Sequence, residues 1–147
     1  MIPNRSRRTI LVVEDAIAVR NMLVEFFTLQ GYDVVHATHP DIALRRLKTS
    51  GAVLDAMILD IRLDYNASGL EVLELIRLDD RFVDLTVVVL TALAHLDPRD
   101  LEVIRRNRAH LLYKQEGYEK VFERLSQIIK PLAERAPGRS PALDGVD

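Results

Sequence analysis

Five polar residues stand directly after short apolar runs, where a buried strand would reach solvent. Glu14 and Asp15 follow "ILVV", Asp60 follows "MIL", Thr91 follows "VVVL" and Lys114 follows "LLY". In an open parallel sheet, functional groups gather at the carboxyl ends of the strands. The sequence therefore predicts that these side chains, although far apart along the chain, lie together at one edge of a sheet.

Together, such side chains could handle a phosphoryl group. Three carboxylates in one place raise each other's pKa unless a cation lies among them. Oxygen ligands without histidine or cysteine favour Mg²⁺ as that cation. A lysine and a hydroxyl beside it could stabilise the oxygens of a transferring phosphoryl group, and an aspartate can act as the nucleophile. These residue types predict phosphoryl acceptance on Asp60, with an acyl phosphate as the product.

The elements that must position these residues alternate between strands and helices. The predicted strands are the apolar runs at residues 9–13, 32–37, 54–60, 85–92 and 109–114. Five helical segments follow them, and the first is predicted to end at Gly31. The second has Pro40 in its first turn, and the fourth opens at Pro98. Apolar residues at helical spacing mark the third and the fifth, namely Leu70, Val72, Leu73, Ile76, Val121, Phe122, Leu125, Ile128, Ile129 and Leu132.

This alternation predicts an α/β fold. The strands read as continuous apolar runs, which is typical of a parallel sheet covered by helices on both faces. Right-handed crossovers then favour a doubly wound, flavodoxin-like sheet of five strands in the order 2-1-3-4-5. The fourth strand is the most apolar, so we expect it to lie centrally.

Composition limits the other possibilities. The 147 residues suffice for one domain, and their net charge of −2 gives no general reason to expect nucleic-acid binding. The absence of cysteine excludes disulfides and thiolate chemistry. No apolar run is long enough to span a bilayer and none resembles a secretory signal, so we expect a cytoplasmic protein. We expect a flexible basic arm at 1–8, one domain at 9–130 and a disordered tail at 131–147.

Over roughly residues 9–130 the chain resembles the bacterial response-regulator receiver domain, of the stand-alone type. The matching motifs are "ILVVED" followed by Arg20, "ILD" with a glycine downstream, "VVVLTA", and the lysine that ends the fifth strand. Each motif alone is weak, but all of them occur in the expected order and spacing. The resemblance implies a protein of two-component phosphorelay signalling, not an enzyme beyond its own phosphorylation and dephosphorylation.

The resemblance also implies a role for each site residue. Asp60 would be the phosphoacceptor. Asp15 would bind Mg²⁺ directly, Glu14 mainly through water, and Arg62 through its backbone carbonyl. The same match implies that Lys114 contacts the phosphoryl group, that Thr91 swings toward it, and that Ala92 leaves room for it.

Three departures from the family pattern bear on these roles. Gly69 stands nine positions after Asp60 instead of eight, and Asp64 stands where a proline is usual, so we infer a longer, reshaped loop. Gln115 replaces the proline that usually follows the lysine, and because a cis bond there would cost roughly 3 kcal/mol we predict a trans peptide and a shifted loop. The usual position of the switch aromatic holds Leu111, which leaves Tyr113 as the candidate.

The functional hypothesis is a receiver fed by a histidine kinase or phosphotransfer protein. It would signal through the face formed by the fourth helix, the fifth strand and the fifth helix, to a downstream protein or a second copy, without direct contact with nucleic acid or membrane. One alternative is a phosphorylation-independent receiver-like binding module. Another is a small flavodoxin-like enzyme or nucleotide binder, disfavoured because no glycine-rich loop follows the first strand. We also hypothesise that Arg62 tunes hydrolysis of the acyl phosphate.

Overall fold

The computed structural model describes residues 8–39, 42–43, 45–46, 53–61 and 68–131. Several predictions fall outside these residues: the basic arm up to residue 7, the tail from residue 132, Pro40, and the loop with Arg62 and Asp64. The carbonyl predicted as a metal ligand at Arg62 is therefore not part of the site described below.

The structure contains one parallel sheet of five strands. They are β1 (Arg8–Val13), β2 (Asp33–Ala37), β3 (Val53–Asp60), β4 (Thr86–Thr91) and β5 (His110–Tyr113). All four neighbouring pairs are parallel, and the order is β2-β1-β3-β4-β5. This confirms the predicted doubly wound fold, with strand ends within one residue of those predicted. β4 lies inside the sheet as expected, but the middle position belongs to β3.

Four helices are described with defined ends. They are α1 (Ile17–Leu29), α2 (Ser68–Arg77), α3 (Pro98–Arg106) and α4 (Tyr118–Ile128), so α3 and α4 are the fourth and fifth predicted helices. Of the segment predicted as the second helix, residues 42–43 and 45–46 are described, and their backbone is helical.

Two hydrophobic cores lie on the two faces of the sheet because successive side chains of a strand point to opposite faces. One core packs α2 and α3 against the strands and includes Leu59, Leu73, Val89 and Ile104. The other packs α1 and α4 and includes Val12, Ile58, Leu90 and Leu112. The strands are thus covered on both sides, which is why their sequences read as unbroken apolar runs.

The helix ends follow from specific residues. At the end of α1, Gly31 has φ +99°, and the N–H groups of Gly31 and Tyr32 donate to the carbonyls of Thr28 and Phe27. This is the Schellman arrangement that a glycine after a helix favours, as the sequence predicted. At the start of α3, Pro98 occupies the first turn and the Asp97 carboxylate accepts the Arg99 N–H at 2.7 Å.

Candidate functional site at the carboxyl edge of the sheet

Glu14, Asp60 and Lys114 come together because each continues the side-chain alternation of its strand. Val12, Ile58 and Leu112 face the core shared with α1 and α4, so the residues two positions later are directed to the same face at the carboxyl edge. The parallel register places Glu14 and Asp60 side by side, since the residues that precede them, Val13 and Leu59, are paired. The prediction that these residues meet is confirmed by the geometry.

Lys114 bridges the two carboxylates. Its Nζ lies 2.9 Å from Glu14 Oε1 and 3.1 Å from Asp60 Oδ1. The Lys114 side chain is 12% exposed, and those of Glu14 and Asp60 are 1% and 6% exposed. The ammonium therefore neutralises negative charge that is largely withdrawn from water, where ion pairs are stronger than at the surface.

Both carboxylate oxygens of Glu14 have partners. Oε1 faces Lys114, and Oε2 accepts the backbone N–H of Ala16 at 3.1 Å. The Glu14 backbone is fixed as well, because its N–H donates to the Ala37 carbonyl at 3.0 Å. Arg20, on the first turns of α1, reaches the Glu14 carbonyl from the other side, with Nη1 3.5 Å away. Glu14 is thus a fixed group that holds the lysine in place.

Asp15 completes an acidic cluster with Glu14 and Asp60. One carboxylate oxygen of each lies within 4.8 Å of the others. Oxygen donors at this spacing, without sulfur or nitrogen ligands, suit a small hard divalent cation such as Mg²⁺. The residues present therefore fit the predicted metal.

The pocket raises the pKa of Asp60 and that of Lys114, which favours the neutral form of the acid and the charged form of the lysine. Burial, followed by the negative charge of Glu14, raises the pKa of Asp60 from 3.8 to about 7, against the opposing effect of Lys114. Burial alone would lower the pKa of Lys114, but Asp60 and Glu14 outweigh it and raise that pKa above its ordinary value. The pocket without a bound cation thus disfavours a full set of negative charges.

Thr91 lies at the end of β4 and is fully buried. Its Oγ1 accepts the Leu93 N–H at 3.1 Å, so the hydroxyl is engaged with the start of the loop that leads to α3. In the β4–β5 register Thr91 pairs with Tyr113, and Val89 pairs with Leu111. Tyr113 is therefore the aromatic neighbour of Thr91 in the sheet, which is consistent with the candidate suggested by the sequence.

Gly69 brings the start of α2 close to the end of β3. A Cβ at this position would lie 2.9 Å from Ile61 Cγ2 and 3.6 Å from the Asp60 carbonyl oxygen. Ile61 is itself buried, and its N–H donates to the Leu90 carbonyl at 3.1 Å. Only a glycine fits between the helix and the strand end that carries Asp60 without displacing a neighbour.

A further expectation concerns the loop after Lys114. No peptide bond among the described residues is cis, so the Lys114–Gln115 bond is trans as predicted. A short 3₁₀ turn covers Lys114–Glu116, and Gly117 with φ +99° leads into α4.

Within the described part of the chain, no helix is both long enough and apolar enough to cross a bilayer.

The fold and the site together define an α/β protein with a lysine-bridged acidic pocket at the carboxyl edge of its sheet. The family model of the response regulator receiver domain matches residues 10–126. The chain belongs to this family, which is not a family of classical enzymes and which functions in two-component signalling.

Solved structures agree with this fold. The chemotaxis protein CheY4 of Vibrio cholerae is 21% identical, with a TM-score of 0.67 over 84% of this chain and 99% of that chain. A response regulator receiver protein from Pseudomonas putida is 24% identical, with a TM-score of 0.67 over 82% and 97% of the two chains. No curated protein sequence matches the chain. At these identities the similarity shows the fold alone.

The sequence did not predict the arginines that donate to backbone carbonyls near the site and between elements. Arg77, at the end of α2, donates to carbonyls of two different loops, and Arg108 adopts a left-handed conformation with φ 57°. Arg20 is part of a family motif, but the motif does not indicate its contact with the Glu14 carbonyl. An arginine gives no local sign of which carbonyls it will meet, because those carbonyls are brought to it by the tertiary fold.

Proposed function

We propose that this chain is a phospho-accepting receiver in which Asp60 takes a phosphoryl group from a histidine kinase or phosphotransfer protein. The observation that carries the proposal is Lys114 Nζ, 3.1 Å from Asp60 and 2.9 Å from Glu14, beside a third carboxylate of the same cluster. If Asp60 were only a solvated residue at the end of a strand, its carboxylate would not lie 3.1 Å from the ammonium of a largely buried lysine. We further propose a cytoplasmic location.

In the proposed reaction an Asp60 carboxylate oxygen attacks phosphorus, and the phosphorus–nitrogen bond of the donor phosphohistidine breaks. The electron pair of that bond returns to the imidazole nitrogen, and the product on this chain is an acyl phosphate. Lys114 moves its ammonium from the free Asp60 oxygen to a phosphoryl oxygen, where it stabilises the added negative charge. Glu14 keeps the ammonium in the pocket during this change of partner.

The proposed metal ligands are the carboxylates of Asp15 and Asp60, with Glu14 acting mainly through water and Arg62 through its carbonyl. When bound, Mg²⁺ supplies positive charge that neutralises the phosphoryl oxygens. The engagement of both Glu14 oxygens with Lys114 and the Ala16 N–H supports an indirect role for that residue. The raised pKa of Asp60 supports the need for a cation before Asp60 can act as a nucleophile.

The signal in this proposal starts at Thr91. A phosphoryl group adds about two negative charges and new acceptor oxygens at Asp60. The Thr91 hydroxyl would leave the Leu93 N–H and donate to one of these oxygens, which changes the loop before α3. The face formed by α3, β5 and α4 would then present a changed surface to a downstream protein or to a second copy of the chain.

The test is phosphorylation with a small phosphodonor and Mg²⁺, followed by intact-mass spectrometry. We expect a single phosphoryl adduct that mild base removes, and we expect Asp60→Asn to abolish it. Asp55→Asn is the matched control, because Asp55 is a carboxylate of the same strand near its opposite end, where its oxygens meet Tyr32 and Arg8. Asp55→Asn should label normally.

This labelling experiment, combined with amide chemical shifts measured with Mg²⁺ and beryllofluoride, distinguishes the proposal from the phosphorylation-independent binding module. Absence of the adduct, together with amide chemical shifts near Thr91 and Lys114 that do not respond to Mg²⁺ and beryllofluoride, would overturn the proposal and favour the module. An adduct that persists in Asp60→Asn would show that the phosphoacceptor has been misassigned.

A further inference from the structure

We propose that α3 is anchored at its C-terminal end by three arginines and pivots there, so that its N-terminal end is the part free to move. The anchoring depends only on contacts within the fold. Its use as a pivot in signalling rests on the proposed function, because the displacement would start in the loop between Thr91 and α3.

Arg77 forms the first part of the anchor. Its guanidinium extends from the end of α2, where Nε donates to the Asn107 carbonyl at 2.8 Å and Nη1 donates to the carbonyls of Phe82 and Leu85 at 2.9 and 2.8 Å. One side chain thus joins the residue that ends α3 to the loop that precedes β4. The planar arginine fork suits such a junction, since its several donors have fixed directions.

Arg106 and Arg108 tie the same end of α3 by independent contacts. Arg106 pairs with Glu74, which lies one turn before Arg77 on α2. Arg108 Nη2 donates to the Val83 carbonyl at 2.8 Å, in the loop that Arg77 also holds. The three contacts converge on the last turn of α3 from α2 and from residues 82–85.

The left-handed backbone of Arg108 supports a structural role for the hydrogen bond from its side chain to the Val83 carbonyl. The N–H groups of Arg108 and Ala109 donate to the carbonyls of Arg105 and Ile104, which is a Schellman ending. Arg108 occupies its left-handed position with φ 57°, the position that glycine holds after α1 at Gly31. A glycine would remove the steric cost at Arg108. The arginine keeps that cost and supplies the bond to Val83.

The opposite end of α3 lacks such ties. Among the described residues, no side chain between 92 and 103 forms a hydrogen bond or ion pair with another element. Asp97 caps its own helix, and Arg99 approaches only that Asp97. Leu101 is 39% exposed, and Ile104, near the anchored end, is the buried residue of the helix. Leu96 is the buried side chain that holds the preceding loop. Few buried contacts are the physical basis of local mobility.

The chain has no cysteine, so spin labels can be placed without removing native thiols. We would pair a label at Glu25→Cys, an exposed position on α1, with one at either Arg99→Cys or Arg105→Cys, the exposed positions at the two ends of α3. Distances would be measured by pulsed electron paramagnetic resonance. In the unphosphorylated protein we expect a broader distribution for the 25–99 pair than for the 25–105 pair.

The anchor is tested by Arg106→Ala combined with Arg108→Gly. Glycine suits the left-handed backbone, so this pair of changes removes the contacts with Glu74 and Val83 while relieving strain, and it leaves the contacts of Arg77 in place. We expect the 25–105 distribution to broaden toward the width of the 25–99 distribution, with Arg77 as the remaining tie at this end of α3. Arg81→Ala is the matched control, since Arg81 is an arginine of the same region whose ion pair is with Asp79, and it should leave both distributions unchanged.

Addition of Mg²⁺ and beryllofluoride should shift the 25–99 mean distance and leave the 25–105 mean in place. Equal widths at the two ends in the unphosphorylated protein, or a 25–105 distribution unaffected by the double substitution, would refute the anchor. Equal shifts at both ends on activation would refute the pivot. A protein that binds no beryllofluoride would refute the proposed function, while the widths would still decide the anchoring.

Discussion

At the scale of single residues, the site is a balance of charges that depends on one lysine. Glu14 and Asp60 are two carboxylates with little exposure to water, and Lys114 is the cation that contacts both. Such a triad is costly to dismantle from one side, because the remaining carboxylates would stay buried without a counter-charge. The excess of buried negative charge over positive charge also favours the binding of a divalent cation.

Replacing the lysine tests this balance. In metal-free protein near neutral pH, we expect Lys114→Met to lower the free energy of unfolding by about 3 kcal/mol, because it leaves buried carboxylates unpaired. Chemical denaturation of the metal-free protein measures the change. In the double variant Lys114→Met with Asp60→Asn, part of the loss should be recovered, since one of the unpaired charges is gone. Strictly additive effects of the two substitutions would contradict the coupling.

A second residue-scale prediction concerns the glycine beside the strand end. Gly69→Ala should cost about 1–3 kcal/mol of stability, because the new methyl group would lie 2.9 Å from Ile61 Cγ2 in a packed interior. Thermal or chemical unfolding measures this cost. Leucine has no methyl group on Cβ, so the cost should be smaller in an Ile61→Leu background. An unchanged stability of Gly69→Ala would show that the helix can withdraw from the strand freely.

At the scale of elements, the hydroxyl of Tyr32 ties the end of α4 to the sheet. The Tyr32 hydroxyl lies 2.7 Å from the Lys130 carbonyl and 3.2 Å from Asp55 Oδ2, just after α4 and near the start of β3. The hydroxyl has one proton, which it donates over the shorter distance to the carbonyl. The junction thus holds the end of α4 at the edge of the sheet opposite the acidic pocket.

Removing that hydroxyl should loosen the end of α4 more than the rest of the fold. We expect Tyr32→Phe to cost about 1–1.5 kcal/mol, the net value of a buried hydrogen bond, and to speed amide exchange at Ile128 and Ile129. Tyr118→Phe is a suitable comparison, because Tyr118 contributes its ring to a contact with Phe122. If the two phenylalanine variants have equal stability and equal amide exchange, the hydrogen bond from Tyr32 to the Lys130 carbonyl does not stabilise the end of α4.

The elements also show how far the sequence alone could reach. The strands were predictable because each is a continuous apolar run, and the site followed from the polar residues at their ends. Gly31 was predictable because glycine is the common residue after a helix. Arg108 ends α3 by the same motif but carries no such signal. The position of β3 in the middle of the sheet depends on crossover connections and not on which strand is most apolar.

At the scale of the whole molecule, the acidic pocket makes stability depend on pH in an unusual direction. A carboxyl whose pKa is depressed in the folded state stabilises a protein as pH rises above 4. The pKa of Asp60 is instead raised from 3.8 to about 7. Between these values the folded state holds a proton that the unfolded state has released, so the contribution of Asp60 to stability decreases as pH rises.

The difference in unfolding free energy between the parent protein and Asp60→Asn isolates this contribution, because asparagine does not titrate. With a chelator present, we expect the parent protein to lose about 1–3 kcal/mol relative to Asp60→Asn between pH 4 and pH 7.5. Below about pH 3 the difference should be constant, since Asp60 is then protonated in both states. Saturating Mg²⁺ should flatten the dependence, because a cation among Glu14, Asp15 and Asp60 favours the ionised carboxylate in the folded state. A difference that rises with pH in the metal-free protein would mean that Lys114 outweighs burial and the charge of Glu14, and that the pocket is already prepared for phosphoryl transfer without a metal ion.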